Sequence, residues 1–291
     1  MIIDMYKLPC KFPLLPRKKN ADKSCYGHAL IVAGSRGMAG AALLCSRAAL
    51  ESGSGLVTLA MPSRLVSGAA KSIPEVMQLG LSQTKDGSIA FSAYSKISQF
   101  ILKRKVNVLL LGPGLSQSSE TTRLVRKLIQ TVKIATVLDA DGLNSFKGKL
   151  SELQRHKAPL VLTPHRKEFE RLFSERWPES QIKRIALAKK LSKFYDVVLV
   201  LKGHRTLVVN GDKCFVNSTG NPGMAKGGSG DVLAGIINAF ICQGLEPFFS
   251  ACWAVYFHGK AGDLAVKERG ELGLIASDII RFLPKAFSLK I

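Results

Sequence analysis

A mostly parallel α/β sheet with helices on both faces is the fold class predicted by this 291-residue sequence, and three observations predict it. Short, continuous apolar runs recur, each ending in Gly, Asp, Thr or His. Helix-like segments lie between them. One hairpin signal then interrupts the rhythm, and only helical patterns follow. Continuous apolar runs mark strands buried on both faces, as in a parallel sheet covered by helices.

The elements follow in order. "HALIVAGS" (28–35) is a β-rich run closed by turn residues. "MAGAALLCSRAALESG" (38–53) has helical composition and stops at Gly53, and "GLVTLAMP" (55–62) is a strand ended by Pro62. "VNVLLLGPG" (106–114), "IATVLDADG" (134–142), "PLVLTPH" (159–165) and "YDVVLVLKG" (195–203) repeat the strand pattern. "TLVVNGDKCFVNST" (206–219) sets Asn210-Gly211 between two β runs, the hairpin signal. Helical patterns close the chain at 230–243, 247–267 and 276–287. With no linker or repeat in sight, residues 1–24 are expected to form an N-terminal extension and residues 25–291 a single domain.

Composition narrows the function classes. A hydrophobic share of 46% with 22% charged residues is that of a soluble globular protein. The six cysteines (Cys10, Cys25, Cys45, Cys214, Cys242, Cys252) show no CxxC pair and no metal-like spacing, so no protein metal site is expected. They read as apolar filler in a reduced, cytoplasmic setting. Asp4 interrupts the first apolar stretch and the basic cluster follows it, the wrong order for a secretory signal. No apolar run is long enough to span a membrane. The net charge of +21 suggests an anionic ligand. Because the basic residues are dispersed, without interleaved aromatics or a Cys/His finger, an anionic small molecule is expected rather than nucleic acid.

In an open α/β sheet, ligands bind at the C-terminal ends of the strands. Residues 112–114, 139–144, 163–165 and 202–206 are therefore expected to face one crevice. "NPGMAKGGSGDVLAGI" (221–236) is the strongest local signal. It is not a Walker A sequence, and Leu233 stands where a dinucleotide fingerprint needs Gly or Ala. Gly227, Gly228, Ser229 and Gly230 nevertheless let the backbone aim N–H groups at one anion, at the start of a helix. Ala234 and Gly235 leave room for close packing behind them. Asp231 is the candidate general base, expected to be ionised at the helix N-terminus and to take a proton from a hydroxyl while the loop holds a phosphoryl group.

Six strings in order carry a resemblance over most of the chain from about residue 25: "YGHALIVAGSRGMAGAALL", "LLLGPGL", "VLDADGLN", "LTPHRKEFERL", "VLKGHRTLV" and "NPGMAKGGSGDVLAGII". Together they resemble the ADP/ATP-dependent NAD(P)H-hydrate dehydratases, a branch of the ribokinase-like superfamily. The resemblance implies a ribokinase-like three-layer sandwich and a lyase that repairs hydrated NADH or NADPH. The ring hydroxyl is phosphorylated, with ADP expected ahead of ATP as donor and Mg²⁺ as cofactor, and phosphate is then eliminated. It further implies that Ala41, Gly114, His165 and Asp231 contact the hydrated cofactor. Lys202, Gly203, His204, Arg205, Thr206 and Gly230 would hold the adenine nucleotide. A homo-oligomer, a tetramer by family, and a separate NAD(P)H-hydrate epimerase partner are expected. Plainer roles stand beside these: Ala41 as helix packing, Gly114 as a turn residue, His165 as a helix cap and Lys202 as a surface lysine.

Two departures from the family pattern bear on the site. The usual "HPGE" is "HRKE" here (165–168), altering the turn after His165 and adding two cations beside the expected substrate phosphates. Lys226 stands where Thr is usual and offers an extra phosphate contact. A ribokinase-like kinase for a vitamin-precursor alcohol would share Asp231 and the glycine loop but not the other strings. A basic nucleic-acid-binding protein is the non-enzyme alternative.

Overall fold

The computed structural model describes residues 6–9, 12, 17 and 19–289. Asp4, Cys10 and half of the expected extension lie outside them. Nine strands form one sheet: β1 (His28–Val32), β2 (Leu56–Pro62), β3 (Met77–Leu81), β4 (Val108–Leu111), β5 (Ala135–Leu138), β6 (Leu160–Leu162), β7 (Val198–Leu201), β8 (Leu207–Asn210) and β9 (Lys213–Val216). Their order across the sheet is β3-β2-β1-β4-β5-β6-β7-β8-β9. Neighbours from β3 to β7 run parallel, and β8 and β9 close the edge antiparallel. The Asn210-Gly211 hairpin is present, with Gly211 at a positive φ of 58°.

Alternate strand residues feed two cores, because successive side chains of a strand point to opposite faces. Ala29 and Ile31 of β1 join one cluster and Leu30 and Val32 the other. The first cluster packs α1 (Ala39–Glu51), α2 (Val66–Ser72), α8 (Ser229–Cys242), α9 (Pro247–Gly273) and α10 (Ala276–Phe287) on one face. The second packs α3 (Ala93–Lys103), α4 (Ser119–Thr131), α6 (Arg166–Phe173) and α7 (Gln181–Tyr195) on the other; α5 (Asp141–Asn144) is a single turn after β5. The result is the three-layer α/β fold the sequence predicted.

α9 continues past the expected residue 267 to Gly273, but Gly270 has φ 66° and ψ 165°, so the helix is kinked there. No helix among the described residues is long and apolar enough to cross a membrane. Cys45, Cys214, Cys242 and Cys252 are buried and Cys25 is exposed, and all five are free thiols. Of the N-terminal segment, Tyr6 donates its N–H to Cys214 O at 2.7 Å, and the Phe12 ring packs against Phe240, Trp253 and Phe257.

The sheet order reverses between β1 and β4, so the loops leaving these strands diverge and open a crevice. Gly34, after β1, donates to Pro113 O at 2.8 Å across that gap. The loops after β5, β6 and β7 continue the same edge, and the N-terminus of α8 reaches it from one face.

Candidate active site

Four charged side chains meet at this edge. Asp139 ends β5 and is 1% exposed. Its Oδ1 accepts from Lys202 Nζ at 2.7 Å and from Thr163 Oγ1 at 2.5 Å. Lys202 Nζ also lies 3.7 Å from Glu168 Oε2. Lys202 sits at the end of β7, where its N–H donates to Pro164 O at 3.0 Å, so the backbone of two adjacent strands aims it inward. Burial alone would depress Lys202, but the Asp139 and Glu168 carboxylates outweigh it and hold the ammonium above its ordinary range. The surface-lysine role is thus ruled out by geometry.

Asp231 is the fourth member. It occupies the third position of α8, and its carboxylate makes no capping bond. Burial, then repulsion from Asp139, raises its pKa from 3.8 to about 7; Lys202 opposes the rise, and Glu168 and Asp141 add to it. This corrects the expectation of a carboxylate kept ionised by a helix N-terminus. Asp231 stands among other carboxylates, and desolvation outweighs the dipole. A base poised near 7 is better matched to proton transfer at neutral pH than one fully ionised throughout.

The glycine loop meets this group from the opposite side. Gly228 caps α8 with φ 89°, and a Cβ there would stand 2.6 Å from Leu44 Cδ1, so only glycine fits. A Cβ on Gly230 would stand 3.2 Å from Lys202 Nζ, which places the loop against the ammonium. The first N–H groups of a helix have no intrahelical acceptor. Those of Gly228, Gly230 and Asp231 donate to no acceptor among the described residues, as an anion-binding turn requires. Gly227 faces open space. Behind the loop, a Cβ on Gly235 would stand 2.3 Å from Cys45 O, so the expected close packing against α1 is present. Ser229 Oγ lies 3.3 Å from Nε2 of His258, a residue of α9. Burial pushes that imidazole down to about 4.

The remaining predicted residues divide. Ala41 and Gly114 are brought together: Gly114 has φ 62°, and a Cβ there would stand 3.2 Å from Ala41 Cβ and 2.7 Å from Met38 O. Its carbonyl accepts from Ser35 Oγ at 2.8 Å. His165 is exposed and caps α6, its Nδ1 accepting from Glu168 N at 3.3 Å while its own N–H donates to Glu168 Oε2 at 2.9 Å. Gly203, His204 and Arg205 form an exposed turn. Thr206 closes it, donating from Oγ1 to Gly203 O at 2.9 Å.

Two of the cations that these departures introduce, Arg166 and Lys226, have partners within the protein. The HRKE turn keeps a complete capping box, so losing Pro and Gly leaves helix entry intact. Arg166 pairs with Glu170 at 3.3 Å and Glu179 at 3.0 Å, which directs that cation along α6. Lys226 Nζ donates to Leu272 O and ties the glycine loop to the last turn of α9, beyond the kink at Gly270. Its ammonium is therefore engaged by a carbonyl. Sequence reasoning also passed over Glu168 and His258. The E of "HRKE" at the third helical position was a capping-box signal; a histidine inside the apolar run of α9 was a weaker one.

Two depressions, of about 550 and 370 Å³, hold none of these residues. The first is lined by Arg123, Lys127 and Phe91 and the second by Phe12, Arg17 and Phe287. Asp139, Glu168, Lys202 and Asp231 line neither depression.

Residues 29–285 match the family model described as NAD(P)H-hydrate dehydratase. A bifunctional NAD(P)H-hydrate repair enzyme of Moorella thermoacetica is 40% identical over 276 residues, covering 94% of this chain and 52% of that protein. The chain thus spans about half the length of the curated relatives it matches. A solved ADP/ATP-dependent NAD(P)H-hydrate dehydratase of Bacillus subtilis, co-crystallised with ATP and Mg²⁺, superimposes with a TM-score of 0.79 at 30% identity, each chain 94% covered. A ribokinase-like superfamily protein of Enterococcus faecalis gives a TM-score of 0.79 at 26% identity, covering 94% of this chain and 91% of that one.

Proposed function

The chain belongs to the NAD(P)H-hydrate dehydratase family, and from that premise we propose that it returns hydrated NADH or NADPH to the reduced dinucleotide. The ring hydroxyl is phosphorylated by an adenine nucleotide, ADP ahead of ATP, and phosphate is then eliminated to restore the double bond. The observation that carries this reading is Asp231, a carboxylate with its pKa near 7, set in a helix N-terminal loop whose amides are free for a phosphoryl group.

The residues divide the work as follows. Asp231 accepts the proton of the ring hydroxyl as its oxygen attacks phosphorus. The amides of Gly228, Gly230 and Asp231 take up charge on the transferring phosphoryl oxygens, the larger part of catalysis in such reactions. Lys202 counters Asp139 and Glu168, which keeps Asp231 from being driven further toward its protonated form. Ala41, Gly114 and His165 flank the position of the hydrated ring, and the 203–206 turn with Gly230 borders the nucleotide. The same amides receive the phosphate as it leaves.

Mg²⁺ fits the donor set. Asp139, Glu168 and Asp231 offer hard carboxylate oxygens at this edge, and Mg²⁺ is commonly held by one or two carboxylates together with substrate phosphates. Bound there, it would neutralise phosphate charge, with Asp139 and Glu168 holding it directly or through water.

Action as a cytoplasmic homo-oligomer, a tetramer by family, belongs to the same proposal. So do a single catalytic domain over residues 25–291 and reliance on a separate epimerase to supply the reactive epimer. A mixture of protein, hydrated NADH, Mg²⁺ and either nucleotide tests the reading through the reduced-nicotinamide absorbance. The band is expected to return, faster with ADP. No return with either nucleotide overturns the function, and faster return with ATP overturns the donor.

The pH dependence follows from Asp231. Its raised pKa leaves it protonated below about 7, so kcat is expected to fall by about tenfold per pH unit below pH 6 and to level off above pH 8. A kcat that stays flat between pH 5 and 8 would contradict the assignment of Asp231 as base.

A further inference from the structure

We propose that His258 is a positioning residue for phosphoryl transfer: its Nε2–H donates to Ser229 Oγ and directs the Ser229 hydroxyl proton into the anion-binding loop. The inference rests on the phosphoryl-transfer reading above and adds one donor to it.

Ser229 is the first residue of α8, between Gly228 and Gly230, and its Oγ lies 3.3 Å from His258 Nε2. The imidazole arrives from a stretch of α9 that has little freedom to shift. Asn217 Nδ2 donates to Val255 O at 3.1 Å, Thr219 Oγ1 donates to Tyr256 O at 2.8 Å, and Gly220 N donates to Asp263 Oδ2 at 3.0 Å. A Cβ on Gly259 would stand 2.1 Å from Thr219 Oγ1, so the helix backbone and this loop are in direct contact. His258 is thus held on both sides along the chain.

The direction of the bond follows from the phosphoryl-transfer reading, since a neutral ring can present either an N–H or a lone pair at Nε2. Burial keeps the imidazole neutral at physiological pH; the Ser229 backbone opposes that shift and the Lys202 charge adds to it, so the ring carries one N–H and one lone pair. If Nε2 accepted, it would take the only proton of the Ser229 hydroxyl, and oxygen lone pairs would face an incoming phosphoryl oxygen. If Nε2 donates, the hydroxyl keeps its proton for that oxygen and aligns with the amides of Gly230 and Asp231. A neutral donor also adds no cation beside Lys202 to compete for Asp139. No other step of the proposed reaction uses His258.

The test compares wild type, Ser229→Ala, His258→Phe, the double variant and His258→Gln in the absorbance assay, with thermal melts alongside. His258→Phe and Ser229→Ala are each expected to lower kcat by roughly 10- to 100-fold, at or below the loss typical of one oxyanion-hole donor. Nucleotide KM is expected to stay within about threefold, because the donor acts on developing charge. The double variant should be no slower than the slower single one, and His258→Gln, whose side-chain amide can donate in place of Nε2, should recover part of the rate. A His258→Phe enzyme within twofold of wild-type kcat overturns the inference, and so do losses that multiply in the double variant. Should His258→Phe not fold, Ser229→Ala decides: wild-type kcat there overturns the inference, and a 10- to 100-fold loss supports it. An inactive wild type sinks the functional reading and this inference with it. An active wild type with indifferent variants sinks this inference alone.

Discussion

Asp231→Asn is expected to lower kcat by at least about 10³-fold, since it removes the proton acceptor while leaving the amide donors of the loop in place. Nucleotide affinity should stay within a few-fold of wild type, measured by titration in the absence of hydrate. The same substitution should stabilise the fold, and the sign follows from linkage. A carboxyl whose folded pKa lies above its unfolded value binds more protons folded than unfolded between the two. Stability is therefore lost as pH rises from about 3.8 through about 7. Asparagine has no such loss, so the variant should melt on the order of 5 °C higher at pH 8, for a gain of roughly 2–4 kcal/mol. The two proteins should melt together near pH 4. Equal melting at pH 8, or near-normal turnover, would count against Asp231 as a desolvated base.

Lys202→Met should be the most destabilising of the single substitutions at the site. It strips the partner from Asp139, which is 1% exposed and whose remaining side-chain donor is Thr163. Breaking a buried pair from one side costs about 3–5 kcal/mol because the other charge stays behind, and the loss should appear as a Tm lower by on the order of 10 °C. Any residual activity should have its pH profile moved upward. Lys202 pulls Asp231 down, while Asp139, Glu168 and Asp141 push it up. A profile that stays in place in a folded Lys202→Met protein would show that Lys202 does not govern Asp231.

The fold was legible where strand burial is complete. The runs at 28–32, 108–111 and 198–201 bury every residue, so composition alone marks them. β3 was not read as a strand, because Met77–Leu81 is an edge strand with an exposed first residue, three half-buried ones and Gly80 among them. Neither continuous apolarity nor clean alternation survives that pattern. The bend at Gly270 was equally silent, since a glycine within a helical composition does not announce a positive φ.

The site was legible as a loop and much less so as an environment. Three glycines beside Asp231 are local, so the anion-binding turn could be read from sequence. The pKa of Asp231 depends on Asp139, Glu168 and Lys202, which β5, α6 and β7 bring in from distant parts of the chain. No spacing rule reports that convergence. The same reason misdirected Lys226 and Arg166: each looks like a spare cation in sequence, yet one meets Leu272 O and the other Glu170 and Glu179. His258 shows the reverse case, a residue that reads as helix interior and stands beside Ser229.

In the proposed reaction a nucleotide phosphoryl group passes through this loop onto the ring hydroxyl before the double bond returns. Measuring inorganic phosphate released per reduced dinucleotide recovered, in wild type and Asp231→Asn side by side, tests it most directly. One phosphate is expected for each dinucleotide recovered by wild type, with no recovery when the nucleotide is omitted and neither product above background from Asp231→Asn. Recovery of the reduced dinucleotide without matching phosphate release would contradict it.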